Sequence, residues 1–265
     1  MDWFQVTFLA LLQGLTEFLP ISSSGHLILP SQLFGWADQG LAFDVAVHVG
    51  TLLAVMLYFY RDICQMTKAW FASVFQQQRS QQSLMAWGVI FATIPACIMG
   101  ELFNGVIEQS LRATWIIAVT TLLFGVLLWW ADIRGSRKRG ESDFTIKDAI
   151  WIGLAQTLAL IPGTSRSGIT ITAGLMLGLN RKTAARFSFL LSIPLIMAAG
   201  LLKGAELYQT GTEAQIGHTL VGGLIAFGAA LACIHIFLHL LDRIGMLPFV
   251  IYRLILGTVL LVFFV

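Results

Sequence analysis

Residues 17–26, EFLPISSSGH, place a carboxylate, three hydroxyls and an imidazole between two apolar segments. A second polar stretch, PGTSRSG at residues 162–168, interrupts another apolar region in the same way. Each flanking segment has about a dozen residues, fewer than the roughly 17 to 25 residues of a membrane-spanning helix. Residues 3–30 and 149–180 are therefore predicted to form re-entrant hairpins, each made of two half-helices joined by a polar turn.

The composition around these hairpins is that of an integral membrane protein. Of the 265 residues, 57% are hydrophobic and 11% charged, whereas soluble domains carry about 25% charged residues. The remaining apolar runs are residues 41–60, 84–103, 114–131, 187–202, 216–241 and 247–265. They lack the alternation of barrel strands, so an all-α polytopic fold is predicted. The net charge of +2 does not indicate nucleic-acid binding.

Basic residues orient the chain, because Lys and Arg accumulate in short cytoplasmic loops. If both hairpins re-enter and the six spans alternate, twelve basic residues fall on one side, against Arg112 and Lys203 on the other. The richest connection, residues 132–148, is predicted to be a cytoplasmic loop.

The two halves of the chain resemble each other. Gln13 precedes Gly25 by twelve residues, as Gln156 precedes Gly168, and each interval contains one Pro and ends Ser-x-Ser-Gly. Residues 1–131 and 149–265 are thus interpreted as two repeats of one membrane domain, each a hairpin plus three spans. Three is odd, so the second repeat is predicted to be inverted, which places a shared site between the hairpins.

Two ionisable groups lie at the hairpin tips, where burial in the membrane is costly. Glu17 follows Gln13 by four residues, so both side chains face one way on a helix that Pro20 is expected to end. Arg166 can approach from the other tip. One interpretation is a structural ion pair. The other is an active site, because the surrounding hydroxyls have no role in a simple pair.

The hydroxyl groups predict an anion site. Ser22, Ser23 or Ser24 can begin the next helix, and Thr164 and Ser165 can begin the corresponding helix after the second break. Arg166 suits bidentate phosphate contact. Glu17 can bind a divalent cation, with the Gln13 carbonyl oxygen in support. With His26 moving protons and a serine or water attacking, the chemistry predicted is phosphoryl transfer.

Two other polar groups leave alternatives open. Asp44 and His48, at i and i+4, are interpreted equally well as structural or as reaching the site from its outer end.

The sequences Ser24-Gly25-His26 and Ser165-Arg166 are similar to motifs of a common superfamily of lipid phosphatases, in which a second His and an Asp follow the Ser-Arg. That assignment fails because no second His follows Arg166 in SGITITAG.

The chain resembles the undecaprenyl-diphosphate phosphatases of bacteria, the bacitracin-resistance type, over nearly its whole length. The first family motif corresponds to QGLTEFLPISSSGH, residues 13–26, and the second, PGxSRSxxT, to PGTSRSGIT, residues 162–170. FDVAVHVGTLLAV from Phe43 and FSFLLSIP from Phe187 are similar too.

The resemblance implies hydrolysis of undecaprenyl diphosphate to undecaprenyl phosphate, which recycles the lipid carrier for cell-wall synthesis. It also implies Mg²⁺ or Ca²⁺, and a multi-pass protein of the bacterial inner membrane whose site opens to the periplasm. The catalytic residues implied are Glu17, Ser23, His26 and Arg166, with Glu17 and Gln13 at the metal. Gln13, Ser22, Ser24, Thr164, Ser165, Ser167 and Thr170 are expected to bind substrate.

Three matters stay open at this stage. Ser23, His26 or water can be the nucleophile, and Ser23 is ranked first. A transporter or flippase of a phosphorylated polyprenyl lipid is the alternative function, because inverted repeats with half-helices are also a transporter architecture. The sequence leaves a homodimer open. The expected partners are the polyprenyl diphosphate and membrane lipids.

Overall fold

The structure, a computed structural model, describes residues 1–37, 39–111, 113–210 and 216–264, without the side chains of residues 24, 28, 31–33, 104–110, 206, 207, 209 and 210. Along these residues the α-helices are α1 (Trp3–Thr16), α2 (Ser23–Phe34), α3 (Leu41–Tyr58), α4 (Tyr60–Phe75), α5 (Gln81–Ser110), α6 (Thr114–Arg134), α7 (Ile146–Gln156), α8 (Arg166–Met176), α9 (Arg181–Thr210), α10 (Ile216–Ile244) and α11 (Leu247–Phe264). Short 3-10 helices lie at Glu141–Asp143 and Thr157–Leu160. The described residues form no β-sheet, which confirms the all-α prediction.

Six of the described helices are long and apolar enough to span a bilayer: α3, α5, α6, α9, α10 and α11. They coincide with the six predicted spans. The span in α9 covers Arg181–Ala205, so it is longer than the predicted residues 187–202. The sequence analysis missed α4, which follows α3 directly and has no buried residues.

Two pairs of shorter helices occupy the predicted hairpins. α1 ends at Thr16 and residues 17–21 form turns. The helix therefore ends four residues before Pro20, earlier than the predicted end. α2 continues past Pro30 to Phe34. The second pair, α7 and α8, covers residues 146–176. Hence the predicted loop at residues 132–148 includes the end of α6 and the start of α7.

Each first half-helix packs against a helix of the other half of the chain. A Cβ added to Gly14 in α1 would lie 2.6 Å from the Cβ of Ala229 in α10. A Cβ added to Gly153 in α7 would lie 2.5 Å from the Cα of Ala92 in α5. Neither glycine can therefore take a side chain without movement of its neighbour. This reciprocal packing brings the two connecting turns together in the protein interior.

The predicted cytoplasmic connections lie at one end of the molecule, where ion pairs join them. Lys182 contacts Asp242 at 2.6 Å, and Arg181 contacts Asp132 at 2.7 Å. Arg186 pairs with both Asp62 and Glu141. Lys203 lies towards the opposite end of α9. Arg112 lies outside the described residues. These contacts join three of the basic residues to acidic residues of neighbouring connections, and the side of the membrane on which they lie stays a prediction.

Candidate active site

A cavity of about 340 Å³ lies where the two turns meet. Its polar lining residues are Glu17, Ser23, Asp44, His48, Gln156, Arg166 and Lys203. Its apolar lining residues are Leu41, Val45, Ala96, Ala159, Leu160, Leu195, Ile196 and Ala199. The cavity thus combines a few charged and hydroxyl groups with hydrocarbon walls, as expected for a ligand with a polar head and a greasy tail.

An ion pair joins the two turns in the cavity wall. Arg166 Nη2 donates to Glu17 Oε1 at 2.9 Å, and the two side chains are only 11% and 8% exposed. Arg166 Nη1 also donates to the Ser188 carbonyl oxygen at 3.3 Å. Beneath the pair, the buried Phe18 ring lies 5.3 Å from that of Phe189 and anchors the first turn. The predicted approach of the two turns is confirmed.

The first turn places a hydroxyl on the same carboxylate. Ser23 Oγ donates to Glu17 Oε2 at 2.7 Å, and Gln13 Nε2 donates to the same oxygen at 2.9 Å. A hydroxyl within hydrogen-bond reach of a base that a third group orients is the geometry of an activated nucleophile. In this arrangement the base beside Ser23 is Glu17, whereas the sequence analysis had assigned proton transfer to His26.

Both helices that leave the turns begin at a serine in a strained conformation. Ser22 has φ 73° and Ser165 has φ 71°, and such values are uncommon for residues other than glycine and cluster at functional sites. The Ser165 side chain accepts from Gly168 N at 3.1 Å, which confirms its predicted cap. Ser22 occupies the equivalent position before α2. The side chain of Ser24 lies outside the described residues.

The remaining predicted substrate-binding hydroxyls of the second turn are buried within the protein. Ser167 Oγ donates to the Leu19 carbonyl oxygen at 2.8 Å and so links the two turns. Thr170 Oγ1 lies 2.7 Å from Ser188 Oγ, and Thr164 is 0% exposed. None of the three, nor Ser165, lines the cavity. Their contact with substrate stays a prediction, and in this structure they build the turn.

His26 is not among the residues that line the cavity. Its Nδ1 is 2.7 Å from the Ser22 carbonyl oxygen, and its Nε2 is 2.5 Å from Tyr252 Oη in α11. A carbonyl oxygen only accepts, so Nδ1 carries the proton and, in the neutral ring, Nε2 accepts from Tyr252. The ring therefore joins α2 to α11, and its catalytic role stays a prediction.

The structure adds residues that the sequence analysis left unassigned. Gln156 and Lys203 line the cavity, as do Asp44 and His48, for which both interpretations had been open. Arg253 lies behind the turns and is fully buried. The signal for Arg253 was present in the sequence, because a charged residue within an apolar span is a candidate for a functional role.

Comparison with known proteins gives one consistent result. The model of the family described as bacitracin resistance protein BacA matches residues 6–259. An undecaprenyl-diphosphatase of Chromohalobacter salexigens is 62% identical over 262 residues, covering 99% of each chain. The undecaprenyl-diphosphatases of Hahella chejuensis and Alteromonas mediterranea are 60% and 58% identical and cover 99% of this chain, and 98% and 99% of their own lengths.

Proposed function

The chain belongs to the bacitracin resistance protein BacA family, and from this membership we infer that it is an undecaprenyl-diphosphatase. It hydrolyses undecaprenyl diphosphate to undecaprenyl phosphate and inorganic phosphate. The family's name implies a contribution to bacitracin resistance. The product is the lipid carrier that peptidoglycan synthesis reuses.

One observation carries the assignment of the site: a single cavity with apolar walls holds Glu17, Ser23 and Arg166. We propose that Ser23 Oγ attacks the terminal phosphorus while its proton passes to Glu17 Oε2, 2.7 Å away. The new Oγ–P bond replaces the bond from that phosphorus to the bridging oxygen. Undecaprenyl phosphate leaves with the bonding electron pair.

A second displacement completes the reaction. Water attacks the phosphoserine, the proton held by Glu17 returns to the leaving serine oxygen, and inorganic phosphate departs with the oxygen and protons of the water, which restores the Glu17 carboxylate. Arg166 is suited to stabilise the charge on the transferring group, because a guanidinium has five N–H donors and two of them are used in the contacts to Glu17 and Ser188.

A divalent cation is part of the proposal, and two residues fit it. Gln13 Oε1 is buried without a hydrogen-bond partner, and its neighbour Glu17 is a carboxylate. Both are oxygen ligands that Mg²⁺ and Ca²⁺ accept. No group of three or more His, Cys, Asp or Glu gathers among the described residues, so substrate oxygens and water would complete the shell. When bound, the cation would offset charge on the phosphate oxygens.

The protein spans a membrane several times. Which membrane this is, and on which side the cavity opens, are part of this proposal. We place it in the bacterial inner membrane with the cavity opening to the periplasm, on the side away from the paired basic connections. The equivalent turns and reciprocal packing support the predicted inverted repeats. A homodimer, which the sequence leaves open, is not required, because every group in the proposed reaction comes from one chain.

The test is phosphate release from a polyprenyl diphosphate by the purified protein in detergent, with trapping of a phosphorylated enzyme by acid quench. We expect Ser23→Ala and Glu17→Gln each to lower turnover about 1,000-fold and to abolish the trapped species. Ser192→Ala, which removes a buried hydroxyl bonded to Phe189 O, serves as the matched control. A phosphoenzyme that survives in Ser23→Ala would transfer the nucleophile role to another group. No release by a well-folded wild type would favour lipid transport instead.

A further inference from the structure

Arg253 is buried in the protein interior and contacts both turns. It lies in α11 and is 0% exposed. Its guanidinium donates to the carbonyl oxygens of Gly163 at 2.9 Å, Thr164 at 3.0 Å and Pro20 at 3.2 Å. It also reaches the Thr121 carbonyl oxygen at 3.1 Å and the Thr120 carbonyl oxygen at 3.5 Å in α6. One side chain thus binds the first turn, the second turn and a spanning helix.

The fold provides a place for this side chain at two glycines. A Cβ added to Gly168 would lie 2.9 Å from Arg253 Nη1, and one added to Gly125 would lie 3.2 Å from Arg253 Cβ. A buried guanidinium must find acceptors to offset the water it has lost. Each acceptor described for Arg253 is a backbone carbonyl oxygen, so the side chain is matched to backbone positions rather than to a carboxylate.

These contacts fix the orientation of the turn peptides. The peptide bonds are trans, so C=O and N–H point in opposite directions. With the Pro20 and Gly163 carbonyls directed at Arg253, the next N–H groups point into the turns, where Ile21 N donates to Leu19 O and Thr164 N to Ile161 O. The carbonyl oxygens, which would repel phosphate, are thereby held on the side of Arg253.

We propose that Arg253 is a positioning residue for the reaction, and this proposal rests on the proposed function. It holds the two turns in register so that Glu17 and Ser23, from the first, face Arg166, from the second. Arg253 is absent from the cavity lining, so it acts through the backbone rather than on the substrate.

The proposal predicts that substitution of Arg253 lowers kcat and leaves KM nearly unchanged. A misplacement of reacting groups by about 1 Å can cost about 100-fold in rate, so we expect Arg253→Met to lower kcat about 100-fold. Arg253→Lys keeps the charge but offers three donors in place of five, and we expect about a 10-fold loss. KM for a polyprenyl diphosphate should stay within about 3-fold of wild type in Arg253→Lys, because binding groups in the cavity are unchanged.

The matched control is Asp132→Asn, which removes the charge that pairs with Arg181 at the start of α9, outside the cavity lining. All variants are assayed in the same detergent, with the thermal midpoint measured beside kcat and KM. If the thermal midpoint of the control falls as much as that of the Arg253 variant, the control should still keep the wild-type kcat. If Arg253→Lys keeps wild-type kcat, or loses no more than this control, Arg253 has only a structural role. A many-fold rise in KM at unchanged kcat would make it a substrate contact and overturn the proposal.

Arg253→Lys decides the question if Arg253→Met fails to fold. The wild type and Glu17→Gln are included so that failure of the proposed function can be distinguished from failure of the positioning role of Arg253. An inactive wild type would contradict the proposed function. An active wild type, an inactive Glu17→Gln and a fully active Arg253→Lys would leave that function in place and refute the positioning role.

Discussion

The two turns of the molecule share a backbone design but carry different chemistry. At an offset of 143 residues, Ser22 and Ser165 both have a left-handed φ, at 73° and 71°. Gln13 and Gln156, also 143 residues apart, are both buried with an unpartnered Oε1. The strained helix start and the buried glutamine before it therefore occur in both halves of the chain.

The same offset shows where the turns differ. Glu17 corresponds to Leu160, and Ser23 corresponds to Arg166. In the proposed reaction the first turn supplies the base and the hydroxyl, and the second supplies the guanidinium. All four residues line one cavity. The comparison teaches that two turns with similar backbones can contribute unlike side chains to one cavity.

Exchanging the charges of the two turns should have the largest effect. Glu17→Arg and Arg166→Glu alone place like charges together, so each should unfold at lower temperature and lose activity. The double variant restores an ion pair, and we expect its thermal midpoint to recover. Its phosphate release should stay about 1,000-fold below wild type, because Ser23 then lies beside a guanidinium instead of a carboxylate.

The control for this exchange is the pair Asp132 and Arg181, whose exchange should leave phosphate release within about 3-fold of wild type if that pair is only structural. Recovery of activity by the Glu17/Arg166 exchange to within 10-fold of wild type would support the alternative that this pair is also only structural.

Much of this architecture follows from sequence periodicity and charge. The six spans, the two hairpins and the contact of Glu17 with Arg166 were predicted, because apolar length and isolated charges are strong signals in a membrane protein. The missed α4 is amphipathic, and its charges had been assigned to a loop. Contacts between residues far apart in the sequence were harder to predict. The partner of His26, and the side chain that fills the space behind the turns, depend on how each helix is rotated about its axis.

The serine-rich motifs show the limit of residue type as evidence. Ser23 faces the cavity, whereas Ser165 and Ser167 are used in the second turn. Their sequence contexts are nearly the same, so the sequence alone could not separate a reacting hydroxyl from a structural one.

A matched pair of glycines sharpens the comparison with a smaller effect. Gly25 and Gly168 are equivalent positions in α2 and α8. A Cβ on Gly25 would lie 3.4 Å from Ile117 Cγ2, an ordinary contact. A Cβ on Gly168 would lie 2.9 Å from Arg253 Nη1 and 3.0 Å from Ser165 Cβ. We expect Gly168→Ala to lower kcat about 10-fold, as overpacking displaces the second turn, and Gly25→Ala to change it less than about 2-fold.

The measurement is kcat at saturating polyprenyl diphosphate, with the thermal midpoint of each variant recorded. Equal losses in Gly25→Ala and Gly168→Ala would mean that the two turns tolerate crowding alike. In that case the close contact of Arg253 with Gly168, which Gly25 lacks, would have no effect on turnover.

Substitutions at the starts of α1 and α7 should have the smallest effect, and this effect is on the free energy of unfolding rather than on catalysis. α1 is capped by Asp2, which accepts from Gln5 N at 2.8 Å at the exposed start of the chain. α7 is capped by Thr145, and its Asp148 binds Arg139 through two hydrogen bonds of 2.9 and 2.7 Å. Burial alone would raise the pKa of Asp148, but the hydrogen bonds from Arg139 and Thr145 and the Arg139 charge outweigh it and lower that pKa.

The sign of the pH dependence follows from this lowered pKa. The unfolded chain binds the Asp148 proton more readily than the folded protein, so the pair contributes its full stability above about pH 4 and loses it as the pH falls through the folded pKa. At pH 7 we expect Asp148→Asn to cost about 2 kcal/mol, less than a fully buried pair because Arg139 is partly exposed. Asp2→Asn should cost less than about 0.5 kcal/mol, because asparagine also caps helices well.

Thermal midpoints between pH 7 and pH 3 test this difference, with Asp2→Asn as the matched control. The gap between wild type and Asp148→Asn should narrow below pH 4, since protonation removes in the wild type the charge that the substitution has already removed. A gap that stays constant down to pH 3 would show that the Asp148 carboxylate is not what Arg139 recognises. The difference between the two helix starts would then arise from packing at α7, because the capping hydroxyl of Thr145 is present in both proteins.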